Sequence, residues 1–305
     1  MNASIKYLRR QEIDSAKWDR CMEEAPNGLI YGYSFYLDAM AKNWDALVLG
    51  DYEAVMPLTW NRKFGIYYLY QPPFTASLGV FGKNIGSAVV EQFLSAIPQK
   101  FRLIEIDLNA GNFFAEQKHS FIIRTNYVLK LDQSYENLFA AYRDNVKRNI
   151  KKAREFNCRF NSSIPIDDVI RLAQEQMKSF SKLDSDAFVR FRKLFNQLYE
   201  NKQAAAYGIY TEKNELLASC VYFFSHKRAY YILVGNHPNS KAVGASHFLI
   251  DRFVHQHAGE NLLLDFEGSD LRNLAFFYSS FGAKEEVYPA IKWNRLPWWA
   301  KLLKN

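Results

Sequence analysis

The chain has 305 residues, 49% of them hydrophobic and 23% charged. That balance fits a globular protein with one large or two average domains and excludes a disordered or collagen-like chain. A net charge of +7 and a pI of about 9.1 favour a polyanionic ligand, nucleic acid or an anionic membrane surface without choosing among them. Cys21, Cys158 and Cys220 are too widely spaced for a disulfide framework or a zinc set, and no apolar run is long enough to span a bilayer. The opening residues include Arg9, Arg10, Glu12 and Asp14 with no apolar core of a leader, so the expected compartment is the cytoplasm.

In chain order, Ile13–Met22 and Tyr33–Ala41 read as helices, the second with Ser34 as its cap. Ala46–Leu49, Glu53–Trp60 and Ile66–Tyr70 read as strands. Pro72 and Pro73 cannot continue a ladder, which makes the stretch from Gln71 to Thr75 an extended loop. A helix over Ser87–Ala96 precedes strands at Leu103–Leu108 and Tyr127–Leu131. No Gly-rich phosphate loop punctuates these turns, so this α+β half is either acceptor-binding or purely structural.

Next, Leu138, Tyr142, Val146, Ile150 and Ala153 recur at helical spacing and predict one amphipathic helix. Arg143, Lys147, Lys151 and Arg154 run beside that stripe, flanked by Arg148 and Lys152. Against these six bases stands one acid, Asp144, leaving a charge of +5. A face of one sign repels itself, which points to an anionic substrate group held by Arg143, Lys147 and Lys151. A merely solvated basic face is the alternative. Asp167, Asp168, Asp184 and Asp186 read as acids at helix starts.

Ala204–Tyr210, Leu216–Phe224 and Tyr230–Val234 read as three consecutive strands. Gly235, Asn236, Pro238 and Asn239 break the last of them. Ser246 is a good cap for a helix carrying Phe248, Leu249, Phe253 and Val254. A strand that passes through small residues into a helix leaves backbone N–H groups able to hold an anion. The residues of that corner are Val234, Gly235, Lys241, Gly244, Ala245 and Ser246, and an ordinary strand–loop–helix turn is the alternative. A strand at Leu262–Phe266, a helix over Leu271–Phe281 and a strand at Glu286–Trp293 follow. His247, His255 and His257 share one helix without a companion ligand set, so they read as packing or surface residues and no metal is expected.

This order of elements resembles the C-terminal part of the GNAT acyltransferase superfamily. Lys241-Ala-Val-Gly244-Ala-Ser246 is similar to the Arg/Gln-x-x-Gly-x-Gly/Ala loop that holds the coenzyme A pyrophosphate there, with Lys and Ser as departures. Tyr278-Ser-Ser-Phe-Gly282 resembles the Tyr-x-x-x-Gly whose Tyr protonates the departing thiolate in several of those enzymes. Tyr135-Glu-Asn-Leu138 and the run from Arg143 to Asn157 look like the helix opening the second domain of Fem-type transferases. That group includes the aminoacyl transferases of peptidoglycan bridges. Leu264-Asp-Phe-Glu-Gly-Ser269 and Phe277-Tyr-Ser-Ser-Phe-Gly-Ala283 are similar to its Asp-Phe-x-Gly-Ser and Phe-Lys-x-x-Phe-Gly-Ala. Tyr278 stands where Fem enzymes carry a Lys assigned to donor-tRNA chemistry, so the resemblance implies an acyl-CoA donor over a tRNA donor. It covers roughly the last 170 residues by motif and the first half by domain plan alone.

The resemblance implies an α+β fold of two tandem GNAT-like domains, each a mixed, mostly antiparallel sheet flanked by helices. The expected division is 1–132, acceptor-binding or structural, and 133–293, donor-binding, with a tail at 294–305. The implied activity is N-acyl transfer from acyl-CoA to an amine of an anionic, phosphate-bearing acceptor such as a cell-envelope precursor. Asp265 or Glu267, two apart at a strand end and on one face of an extended chain, would take the amine's proton, and Tyr278 would protonate the thiolate. Bland readings stand beside these: a carboxylate capping the helix near Ser269-Asp270, and a core aromatic at 278. An aminoacyl-tRNA-dependent Fem-like transferase and a non-catalytic ligand-binding module of the same fold are the competing functions. Trp298 and Trp299 in the basic tail are expected to pack on the first domain, peripheral membrane contact being the alternative.

Overall fold

The computed structural model describes residues 4–114, 121–178, 185–268 and 270–296. By compactness the chain divides into two units, residues 1–124 with 287–305, and residues 125–286. Asp184, Ser269, Trp298 and Trp299 lie outside the described residues, and with them the expectation for the tail.

In the first unit, β1 (Ile5–Leu8) pairs antiparallel with β2 (Asn43–Leu49). Between them lie α1 (Ser15–Glu24), capped by Asp14 onto the N–H groups of Ala16 and Lys17, and α2 (Ser34–Met40). Ser34 is the first residue of α2 rather than its cap, because its hydroxyl and N–H both donate to Asp19. A nearby carboxylate outcompetes the local backbone for that hydroxyl. β3 (Ala54–Lys63) pairs antiparallel with β2 and with β4 (Ile66–Leu69), and the short β5 (Phe81–Gly82) returns to β3. After α3 (Ser87–Ser95), β6 (Phe101–Asp107) runs parallel to β4. Val90, Phe93 and Leu94 of α3 belong to the core that also holds Met56, Leu58, Ile104 and Ile106.

β7 (Phe121–Lys130) leads into the second unit. The single helix expected from Leu138 to Ala153 is two, α4 (Tyr135–Ala140) and α5 (Asp144–Glu155). Arg143 is extended, with ψ at 157°, and its N–H donates to the carbonyl of Ser280. The apolar stripe survives this break, with Leu138, Tyr142, Val146, Ile150 and Ala153 all buried in one core. Then come β8 (Arg159–Asn161), α6 (Ile166–Met177), α7 (Ser185–Glu200), β9 (Ala204–Tyr210), β10 (Leu216–Ser225) and β11 (Arg228–Asn236). Asp167 and Asp168 fall in the first turn of α6 and Asp186 in that of α7. The one-turn α8 (Ser240–Val243) precedes α9 (Ala245–His257), β12 (Leu263–Asp265) and α10 (Arg272–Ser279). β13 (Lys284–Asn294) returns to the first unit, where residues 290–294 pair antiparallel with β6.

Within the second unit the strands lie in the order β7-β12-β11-β10-β9-β8, antiparallel except for β11 and β12. α9 covers one face, with the ring of Phe253 stacked on Tyr222 at 3.9 Å between centroids. The parallel pair is short: Arg228 faces Leu263, Ala229 faces Leu264 and Tyr230 faces Asp265. There β12 ends, while β11 continues along β10 to Asn236. The two parallel strands therefore part at their carboxyl ends, the usual place for a ligand in such a sheet. No helix among the described residues is long and apolar enough to cross a membrane.

Candidate functional site

The far end of β11 leads into the corner that sequence spacing marked for an anion. Gly244 separates α8 from α9 at φ 76°, and it rather than Ser246 is the cap residue of α9. A Cβ at Gly244 would lie 2.3 Å from the carbonyl oxygen of Asn149 on α5, so only glycine lets this turn seat against that helix. Ser246 sits inside α9, its hydroxyl donating to Asn236 Oδ1 at 2.6 Å and lying 2.9 Å from Ser240 Oγ. The extra turn of α8 moved the start of α9 upstream of the serine. A Cβ at Gly235 would come within 2.7 Å of the backbone nitrogen of Ala173, so this glycine admits α6 rather than a ligand. Val234 is half-buried, Ala245 is buried and Lys241 is exposed on α8. The cap residue Gly244 offers no side chain to the first turn of α9, and a helix start of this kind suits an anion.

Asp265 and Glu267 take separate roles. Asp265 is buried and fully engaged: it accepts from Arg228 Nη1 at 2.6 Å, Asn126 Nδ2 at 2.8 Å and the N–H of Glu267 at 2.8 Å. Arg228 also grips both oxygens of Glu286, at 2.9 and 3.0 Å. Burial works against the Arg228 charge, but Asp265 and Glu286 outweigh it and hold the guanidinium protonated above its ordinary range. Such a lattice fixes the end of β12. Glu267 lies beyond it at φ 65°, followed by Gly268 at φ 78°. Left-handed backbone costs a glutamate about 1 kcal/mol, and the turn takes Glu267 out of the alternation that would have set it beside Asp265. Burial pushes the Glu267 carboxyl well above the usual carboxylate range.

Tyr278 on α10 is buried, stacked on Phe266 with centroids 4.7 Å apart. Its phenol is pushed up by burial first and then by the charge of Glu267, so these two groups occupy one electrostatic neighbourhood beside the parted strands. His247, read from the sequence with His255 and His257 as a packing or surface residue, is a packing residue. It packs edge-on to Phe277 at 4.8 Å, lies 3.5 Å from Asn149 Nδ2, and is pushed down to about 4 by burial, hence neutral at neutral pH. His255 stacks edge-on to Tyr135 and His257 Nδ1 lies 3.0 Å from Glu260. No group of ligating side chains among the described residues would hold a metal ion.

The basic stripe divides as well. The Arg143 guanidinium lies 5.2 Å over the ring of Phe276, and Lys147 Nζ donates to the carbonyl of Ala140 at 3.1 Å. Lys151 turns instead to Glu155 on its own helix, 3.7 Å away. Arg154 lies 3.8 Å from Asp251, which is buried and accepts from the Tyr135 hydroxyl. Part of the apparent self-repulsion is thus offset by acids outside the stretch from 143 to 154. In the first unit, a cleft of about 340 Å³ is lined by Tyr70, Gln71, Glu105, Asp107, Arg124 and Lys292 among others. Arg124 pairs with Asp107 at 3.0 Å and Lys292 with Glu105 at 3.6 Å, giving the cleft charges of both signs.

No protein-family profile matches the chain, and neither does any curated protein sequence. Solved structures do match. FemX is similar with a TM-score of 0.62 at 12% identity, over 93% of this chain and 96% of its own. The fold is Fem-like. A conserved protein of unknown function from Bacteroides thetaiotaomicron is also similar, with a TM-score of 0.56 at 11% identity over 94% of this chain and 99% of its own. So is the C-terminal domain of a putative lysylphosphatidylglycerol synthetase from Agrobacterium fabrum, with a TM-score of 0.53 at 7% identity over 95% of this chain and 94% of its own. At these identities the likeness is one of fold, GNAT-like in its mostly antiparallel sheet flanked by helices. Within this Fem-like fold, the parted strands, Glu267, Tyr278 and the start of α9 gather in the second unit.

Proposed function

We propose that the chain is an N-acyltransferase that moves an acyl group from acyl-CoA to an amine of an anionic acceptor. The observation that carries this reading is the place of Glu267 and Tyr278 where β11 and β12 part: Glu267 lies two residues past the end of β12, and Tyr278 stacks on Phe266 between them. Amide formation from a thioester makes a C–N bond and breaks a C–S bond, and it needs one proton removed from nitrogen and one delivered to sulfur. A carboxyl held above its ordinary range is a better base near neutral pH than a surface glutamate, so Glu267 accepts the amine's proton. Tyr278, kept as the neutral phenol, donates its own to the sulfur. Asp265 serves as the anchor for that turn through Arg228 and the Glu267 N–H. The start of α9, with Gly244 as its cap, Ala245 and Ser246 in its first turn and Lys241 at its rim, receives the donor's pyrophosphate. Arg143 and Lys147 hold an anionic group of the acceptor.

The test is calorimetric titration with acetyl-CoA and longer acyl-CoAs, on the parent and on Lys241→Ala. Expected is donor binding that weakens in the variant while its melting temperature stays at the parent's. Absence of binding to every acyl-CoA, together with protection by aminoacyl-tRNA, would replace this reading with the tRNA-dependent one.

A further inference from the structure

We propose that the cleft of the first unit binds a zwitterionic α-amino acid. Its position follows from the strand geometry that also marks the candidate site of the second unit. β4 and β6 run parallel as far as Leu69 and Ile104. Beyond them the chain leaves β4 through Tyr70 and Gln71, while β6 continues to Asp107 along β13. Parallel strands that part at their carboxyl ends open a crevice for a ligand. Gln71 fixes its wall, accepting the N–H of Asp107 at 3.2 Å and donating to the carbonyl of Thr75 at 3.1 Å. Ile104, Ile106 and Ile291 turn into the core shared with α3, so alternation sets Glu105, Asp107 and Lys292 on the other face of the sheet.

Charge selects the ligand. On a chain of net charge +7, this cleft holds two carboxylates and two cations, Asp107 with Arg124 and Glu105 with Lys292. A polyanion or a polycation entering it meets two like charges, whereas a neutral zwitterion meets an opposite charge at each end. The ligand lies across the two pairs, its carboxylate on Arg124 and its ammonium on Glu105. A guanidinium has five donor hydrogens, more than one carboxylate can take, and the Glu105 side chain is half exposed with Lys292 3.6 Å away. A volume of about 340 Å³ is at the small end for ligand sites and suits a single amino acid. Ile122, two residues before Arg124 on β7 and 50% exposed, offers an aliphatic side chain a surface at the cleft's wall.

Binding here does not depend on the acyl-transfer reading, and it is measured without a donor. The full chain is titrated near neutral pH with L-leucine, leucinamide and N-acetyl-L-leucine, with the ligand signals followed by NMR. Leucine should bind at least about tenfold more tightly than either, since each altered ligand leaves one charged partner unmet. In R124Q the advantage of leucine over leucinamide should vanish, and in E105Q its advantage over N-acetyl-L-leucine. A variant that is merely loosened weakens all three ligands alike. Should R124Q fail to fold, E105Q, at a half-exposed carboxylate, decides alone. No saturable binding of L-leucine, equal affinity for all three ligands, or survival of either advantage in its variant would each overturn the proposal.

Discussion

Replacing Gly244 by alanine tests the corner between α8 and α9 quantitatively. The new Cβ meets two penalties. One is the left-handed backbone at φ 76°, about 1 kcal/mol for a residue with a side chain. The other is the carbonyl oxygen of Asn149 at 2.3 Å, where ordinary contact begins near 3.4 Å, so α5 must retreat by about 1 Å. Forcing extra volume into a packed contact costs about 1–3 kcal/mol, for a total of about 2–4 kcal/mol. For a unit of about 160 residues this lowers the melting temperature by roughly 6–12 °C. Gly259 supplies the control, since it has φ 84° and nothing within 4 Å of a built Cβ. Gly259→Ala therefore carries the backbone penalty alone. Differential scanning calorimetry of both variants separates the two costs. Equal, mild losses in the two would show that the Gly244–Asn149 contact is loose and that the steric reasoning is mistaken. Because Asn149 also faces His247, a change at Gly244 disturbs the site through the fold, which is why Lys241 is the cleaner probe of donor binding.

Glu267→Gln should flatten the pH dependence of stability. The folded carboxyl is raised above its unfolded value, so its favourable contribution is complete below the unfolded pKa and is lost as pH rises through the folded one. The parent should thus lose stability relative to the variant at up to about 1.4 kcal/mol per pH unit over that window, and melting curves that stay parallel would argue against a buried carboxyl. Tyr278→Phe keeps the stack on Phe266 and should leave the melting temperature nearly unchanged while lowering kcat by about 100-fold or more; an unchanged kcat would remove Tyr278 as the acid. Arg228→Met strands Asp265 and Glu286 without their guanidinium and should cost about 3–5 kcal/mol in chemical denaturation, whereas a loss near zero would mean that water solvates both carboxylates.

The elements of the second unit were legible because their signals are local. β9, β10 and β11 are apolar runs between turns, and α9 is a regular amphipathic repeat. Non-local partners account for what was missed. Periodicity carried one helix through residue 142, but Arg143 is held extended by a hydrogen bond to Ser280, far along the chain. Ser34 and Ser246 look like caps until Asp19 and Asn236 claim their hydroxyls. Asp265 and Glu267 share a face only if the strand continues, and positive φ at Glu267 ends it. The cleft of the first unit is assembled from residues as distant as Tyr70 and Lys292, and no short motif announces it.

β12 has a consequence for how the chain acquires its structure. Its three residues are bonded on one side to β7, where Leu263 faces Lys130, and on the other to β11, where it faces Arg228. β9, β10 and β11 form successive hairpins with short loops and low closure entropy, so they assemble early. The partner of β12 on its other side waits far back in the sequence. Until both arrive, the edge of β11 at Ala229 and Tyr230 stands unpaired, an apolar strand edge of the kind that other chains recruit. Refolding at rising protein concentration should therefore lose yield at this late step, before the strands that frame Glu267 and Tyr278 exist.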